Sequence, residues 1–134
     1  MISAVDTNVL LDVTLDDPVH ADRSQKLLEN AYQSGSLIIC DLVYAELAPQ
    51  FDSKAALVAM LATLNIRVVE SGLEVAFLAG VKWAEYRRAG GNRTRLITEF
   101  LIGAHAQLHA ECLLTRDRGF YKAYFPELRL LDGA

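Results

Sequence analysis

Cysteine is scarce in this sequence. Cys40 and Cys112 are the only two in 134 residues, and each lies in or beside an apolar run that reads as a buried strand. Neither a disulfide framework nor a CxxC metal site is expected from such an arrangement. Long apolar runs are missing too: none reaches 18 residues, and the chain arrives at Asp6 without the basic segment and apolar core of a signal peptide. The expectation is a soluble, cytoplasmic protein with no membrane association. Positive charge is also short, with 13 basic residues against 17 acidic and a net charge of −4. That argues against nucleic-acid binding through a basic groove. It leaves open a site where carboxylates hold divalent cations, because bound cations reverse the local sign where a phosphate must dock.

What is present is a chain of 52% hydrophobic residues. Its size suits one compact domain, expected to span residues 1–134 and to bury roughly two thirds of its unfolded surface. No repeat, linker or low-complexity segment interrupts it. "ISAV" at 2–5 reads as a short buried strand closed by the polar Asp6, Thr7 and Asn8. A helix should follow, with Asp17 as cap, Pro18 in the first position, Leu27, Leu28, Ala31 and Tyr32 at helical spacing, and Gly35 at its end. "LIIC" at 37–40 is a second strand. Asp41 is placed to cap the short helix "LVYAELA", whose Val43 and Leu47 face inward and whose length Pro49 limits. A helix over about 53–64 and a strand "IRVVE" at 66–70 come next. The best-defined helix carries Leu73, Ala76, Phe77, Gly80, Val81 and Ala84 on one expected core stripe and breaks at Gly90 and Gly91. After the loop "GGNRTR", Phe100, Leu101, Ala104 and Leu108 mark another stripe. "CLLT" is a fourth strand ending before Asp117, and residues 129–131 offer a fifth.

Strands separated by helices pair in parallel through right-handed crossovers. The expected fold is α/β, a three-layer sandwich with a central, mostly parallel sheet of four to five strands. Ligands in such open sheets bind outside the carboxyl ends of the strands. Asp6 and Asp117 directly follow strands, and Glu46 lies on a helix that follows one. Glu99 opens the helix that runs back to "CLLT", so it must start at that same edge. Singly, each acid has a plain explanation as a turn residue, a helix cap or a solvated surface group. Together, four carboxylates at one rim repel unless protons or cations intervene. Oxygen-only ligands favour hard ions such as Mg²⁺ or Mn²⁺. Setting these four aside leaves 13 acidic residues against 13 basic, so the whole net charge resides in the proposed site. His105 and His109 stand at i and i+4, a zinc-capable spacing, but no HExxH glutamate follows His105 and His20 is remote. Packing and hydrogen bonding explain that pair better.

"AVDTNVLLD", "DLVYAEL" and "EFLIGAHAQLHAECLLTRDRGFYKAYFPELRLL" resemble, in order and over nearly the whole chain, PIN-domain ribonucleases of the VapC toxin type. The resemblance implies a PIN-like sandwich, a Mg²⁺- or Mn²⁺-dependent endoribonuclease acting on RNA, a homodimer, and neutralisation by a cognate VapB-type antitoxin. Position by position, Asp6 matches the first metal-binding aspartate, Glu46 the glutamate on the helix after the second strand, and Asp117 the late aspartate. Asn8 and Thr115 match polar positions that support the pocket. The family usually has aspartate just before "FLIGAHA", commonly after proline, whereas this chain has Thr98 and Glu99. The longer side chain is expected to lower activity while leaving the fold intact.

The expected chemistry is phosphodiester hydrolysis with Asp6, Glu46, Glu99 and Asp117 around one or two ions. Arg93, Arg95, Arg116 and Arg118 are candidates for contacts to RNA phosphates. Two rivals share parts of the pattern. An aspartyl phosphatase expects a second aspartate two residues after Asp6, where Asn8 stands. A non-enzymatic receiver module needs paired acids after the first strand, a phosphorylatable aspartate after a middle one and a lysine after a late one, and only fragments of that set occur.

Overall fold

The computed structural model describes residues 1–91 and 97–132. Strand β1, Ile2–Val5, runs up the middle of the sheet, and Asp6 ends it by capping helix α1, Thr7–Thr14. Backbone at Asp6 stays extended, with φ −74° and ψ 153°, while its carboxylate accepts the Thr7 N–H. Helix α1 was not expected from the "VLLDVT" run, which is short and carries the polar Asp12, buried beside Val9 and Leu10. Helix α2, Ala21–Ser34, begins later than the Asp17–Pro18 pair suggests. Asp17 instead caps the turn before it, accepting the Val19 and His20 N–H groups. These bonds hold its carboxyl below the usual range.

Strand β2, Ser36–Ile39, leads through Cys40 into α3, Asp41–Leu47, which tightens to a 3₁₀ turn at Ala48–Gln50 around Pro49. Asp41 does not cap α3; its carboxylate reaches across to Ser71. Helix α4, Lys54–Thr63, starts at Ser53, whose hydroxyl accepts the Ala56 N–H. After β3, Ile66–Val68, come the two longest neighbours on the chain's second half, α5, Gly72–Arg88, and α6, Ile97–His109. Strand β4, Cys112–Leu114, short helix α7, Arg118–Tyr124, and β5, Arg129–Leu131, complete the order.

All five strands of the described residues pair in parallel, in the order β3-β2-β1-β4-β5. The three central strands are buried on both faces, which is why β1, β2 and β4 read as continuous apolar runs instead of alternating ones. Right-handed crossovers place the helices between β1, β2 and β3 on one face and those leading to β4 and β5 on the other. The three-layer α/β sandwich expected from the sequence is therefore the observed one.

Two apolar stripes point elsewhere than expected. On α5 the buried side chains are Val75 and Ala79, while Leu73 and Phe77 are 88% and 76% exposed. On α6, Phe100 and Ala104 enter the core but Leu108 lies at the surface. Phe100 is instead ringed by Tyr86, Phe120, Tyr124 and Phe125. Both cysteines are free and buried, as anticipated. His105 is buried too, its Nε2 2.7 Å from the Val69 carbonyl. A carbonyl can only accept, so that nitrogen carries the proton and is closed to metal.

Candidate active site

The strand register brings the polar ends of β1 and β4 level. Val5 pairs with Leu114, the Asp6 N–H donates to the Leu114 carbonyl, and the Thr115 N–H continues to Leu131. Side chains that follow both strands thus emerge together at the carboxyl edge of the sheet.

Asp6 sits at the centre, only 6% exposed. Its Oδ1 accepts the Thr7 N–H at 2.8 Å, and its Oδ2 accepts the Thr115 hydroxyl at 2.7 Å and the Asn8 amide at 3.4 Å. The Thr115 hydroxyl in turn accepts the Asp117 N–H at 3.0 Å. Asn8 works in both directions, since its Oδ1 accepts the Arg116 N–H at 3.3 Å. An aspartate there would lose the donor and add a like charge. Glu46 extends from α3 and accepts the Thr7 hydroxyl at 2.6 Å. Glu99, in the first turn of α6, and Asp117, at the start of α7, complete the rim.

All four expected acids line one pocket of about 260 Å³, together with Thr7, Asn8, Thr98 and Tyr121. They come from four separate segments, and Glu99 reaches the common edge because α6 starts there and runs back toward β4. Burial pushes the Asp6 carboxyl up to about 6, the Thr115 and Thr7 hydrogen bonds oppose that rise, and the charge of Glu46 adds to it. A buried carboxylate in that condition lacks a countercharge. The donors are all oxygens, so the residues fit a hard divalent cation. Among the described residues no three acidic, histidine or cysteine side chains are drawn into a closed ligand cage. Mg²⁺ is commonly held by only one or two carboxylates.

Tyr121 was not anticipated. It is 1% exposed, and its hydroxyl is set within the electrostatic reach of Asp6, Asp117 and Glu99. Burial first, and these acids second, push its phenol far above the usual range, so it stays neutral. Its only sequence signal was an aromatic three residues into a short helix, which resembles a core position. Thr7 was visible only as part of "DTN".

The arginines divide. Arg116 directs its guanidinium to the buried Asp12, and Arg118 pairs with Asp132 beyond β5 at 3.2 Å. Arg93 and Arg95 lie outside the described residues.

The family model described as the PIN domain matches residues 4–126. No curated protein matches the chain. Solved structures of similar fold include VapBC2 of Rickettsia felis bound to a DNA fragment from its promoter, at 22% identity and a TM-score of 0.74, with 98% of each chain covered. DNA-bound VapBC of Salmonella typhimurium matches at 19% identity and a TM-score of 0.73, covering 100% of this chain and 99% of that one. VapC20 of Mycobacterium tuberculosis, a sarcin-ricin loop cleaving toxin, matches at 19% identity and a TM-score of 0.60, covering 95% and 98%.

Proposed function

This chain belongs to the PIN-domain family, and from that premise we propose that it is a metal-dependent endoribonuclease toxin of the VapC type. Residues 1–134 act as one nuclease domain in the cytoplasm, cutting RNA phosphodiester bonds until a VapB-type antitoxin neutralises it. The observation that carries this reading is the meeting of Asp6, Glu46, Glu99 and Asp117 around one pocket at the carboxyl edge of the sheet. VapBC complexes and an RNA-cleaving toxin among its structural neighbours support it.

Asp6 is the central ligand for Mg²⁺ or Mn²⁺, with Glu46, Glu99 and Asp117 around it. A bound ion supplies orientation of the scissile phosphate, a lower pKa for the attacking water and stabilisation of charge on the leaving oxygen. The chain's own groups do the rest. Thr115 and the Thr7 N–H fix the orientation of Asp6, Thr7 holds Glu46 by its hydroxyl, and Asn8 ties α1 to the turn carrying Asp117. Tyr121 closes the floor with a neutral ring that excludes water. Arg118, next to Asp117 in the chain, and the sequence candidates Arg93 and Arg95 would engage RNA phosphates.

The sheet order separates this reading from a receiver module, whose order is 2-1-3-4-5, whereas this sheet is ordered 3-2-1-4-5. An aspartyl phosphatase lacks its second aspartate, because Asn8 occupies that position and donates to Asp6.

The deciding experiment incubates the purified chain with total RNA in Mn²⁺ or in chelator and sequences new RNA ends. Defined cleavage that requires Mn²⁺ and disappears in Asp6→Asn is expected, as is growth arrest relieved by coexpression of the neighbouring gene. Stable phosphorylation of the chain without RNA cleavage would overturn the proposal.

A further inference from the structure

Asp12 is an acid in an otherwise apolar part of α1, and it is 3% exposed. Its Oδ2 accepts the Ser24 hydroxyl of α2 at 2.6 Å and Arg116 Nε at 2.8 Å, while its Oδ1 accepts Arg116 Nη2 at 3.1 Å. A two-pronged guanidinium contact fixes direction as well as distance, which a single ammonium does not. An ion pair in such a place is no more stabilising than an apolar pair of the same shape, so what it adds is a defined arrangement.

Arg116 stands between Thr115, which donates to Asp6, and Asp117, whose N–H returns to Thr115. Its own N–H is held by Asn8 of α1. Arg116 is thus anchored on α1 by both its N–H and its guanidinium, and Thr115 on Asp6, the residue that caps that helix. We propose that Asp12 and Arg116 form a positioning pair that sets the Asp117 carboxylate against Asp6 in the ion site, and that Arg116 does not act by touching RNA phosphates. This rests on the nuclease reading above.

The pair is tested in the full chain with Arg116→Lys and Asp12→Asn. Lysine keeps the charge on Asp12 and any phosphate contact but loses the fork, and asparagine keeps an acceptor for Ser24; the fold of each variant is checked by circular dichroism, and Arg116→Lys, which leaves the ion pair charged, carries the test if Asp12→Asn unfolds. Mn²⁺ affinity is read without RNA by electron paramagnetic resonance of the free ion, and kcat, KM and salt dependence are read with RNA. Each variant is expected to bind Mn²⁺ about tenfold more weakly and to lose kcat at saturating ion, with KM and the salt slope unchanged. The double variant should be no worse than either single one. Wild-type Mn²⁺ affinity in both folded variants overturns the proposal. So does an Arg116→Ala chain with intact Mn²⁺ affinity, a raised KM and a salt slope reduced by about one, which is the signature of a phosphate contact. A wild-type chain that binds no Mn²⁺ removes the nuclease reading itself, and this pairing role with it.

Discussion

Asp6 carries an energetic cost that its position makes useful. With its carboxyl raised from 3.8 to about 6, the ion-free folded chain keeps a proton that the unfolded chain has already released. Stability contributed by this group is therefore full below about pH 4 and is lost as pH rises through 6, on the order of 3 kcal/mol in all. Asp6→Asn should flatten that slope and stabilise the ion-free protein at pH 7.5 by roughly 1–3 kcal/mol, as read by urea denaturation, while abolishing RNA cleavage. A variant that is less stable at pH 7.5 would show that the charge is already compensated. Glu99 makes a second case at this scale. Unless backbone or rotamer compensates, the additional methylene moves its carboxylate by more than about an ångström, and a misplacement of that size would weaken an ion site. Glu99→Asp is expected to raise Mn²⁺-dependent kcat by about tenfold or more; an unchanged or lower rate counts against the geometric explanation. Asp6, Glu46 and Asp117 were legible because each follows a strand. Tyr121 and Asp12 were not, because a tyrosine or aspartate in a short apolar segment gives no sign of which neighbour it will face.

Helix α6 shows how one element couples packing to the site. It places Glu99 on its first turn at the pocket and, one turn on, Gly103 against the buried ring of Phe125. A Cβ at Gly103 would lie 2.5 Å from Phe125 Cε2. Gly103→Ala should therefore cost about 1–3 kcal/mol in thermal or chemical denaturation and, by displacing α6, lower RNA cleavage as well. Wild-type stability would mean that the helix has room to shift. Helix α5 teaches the opposite lesson. Its apolar stripe is clear in the sequence, but periodicity identifies a face without saying what the face meets. Small Val75 and Ala79 go inward, where α5 packs on α6, and large Leu73 and Phe77 go outward. Helix α1 escaped notice because it is only eight residues long and follows the strand at once, with Asp6 as its cap.

For the molecule as a whole, that outward face has a consequence. Leu73, Phe77 and Val81 recur at helical spacing on α5 and are 88%, 76% and 40% exposed, an apolar face on which the homodimer implied by the family resemblance can be tested. Phe77→Glu should yield a folded monomer by light scattering, with thermal stability of the protomer changed by no more than about 0.5 kcal/mol; a persisting dimer would place the interface elsewhere. No helix of the described residues is long and apolar enough to cross a membrane. Local sequence was enough to establish which segments become strands, that they pair in parallel with helices between them, and that acids following strands must gather at one rim, because burial on both faces and crossover handedness act through the chain's own order. Which side of α5 is inward, where Arg116 points, and that Tyr121 lies beneath the acids depend on contacts between segments far apart in sequence. Those were settled only when competing side chains were packed into the same limited space.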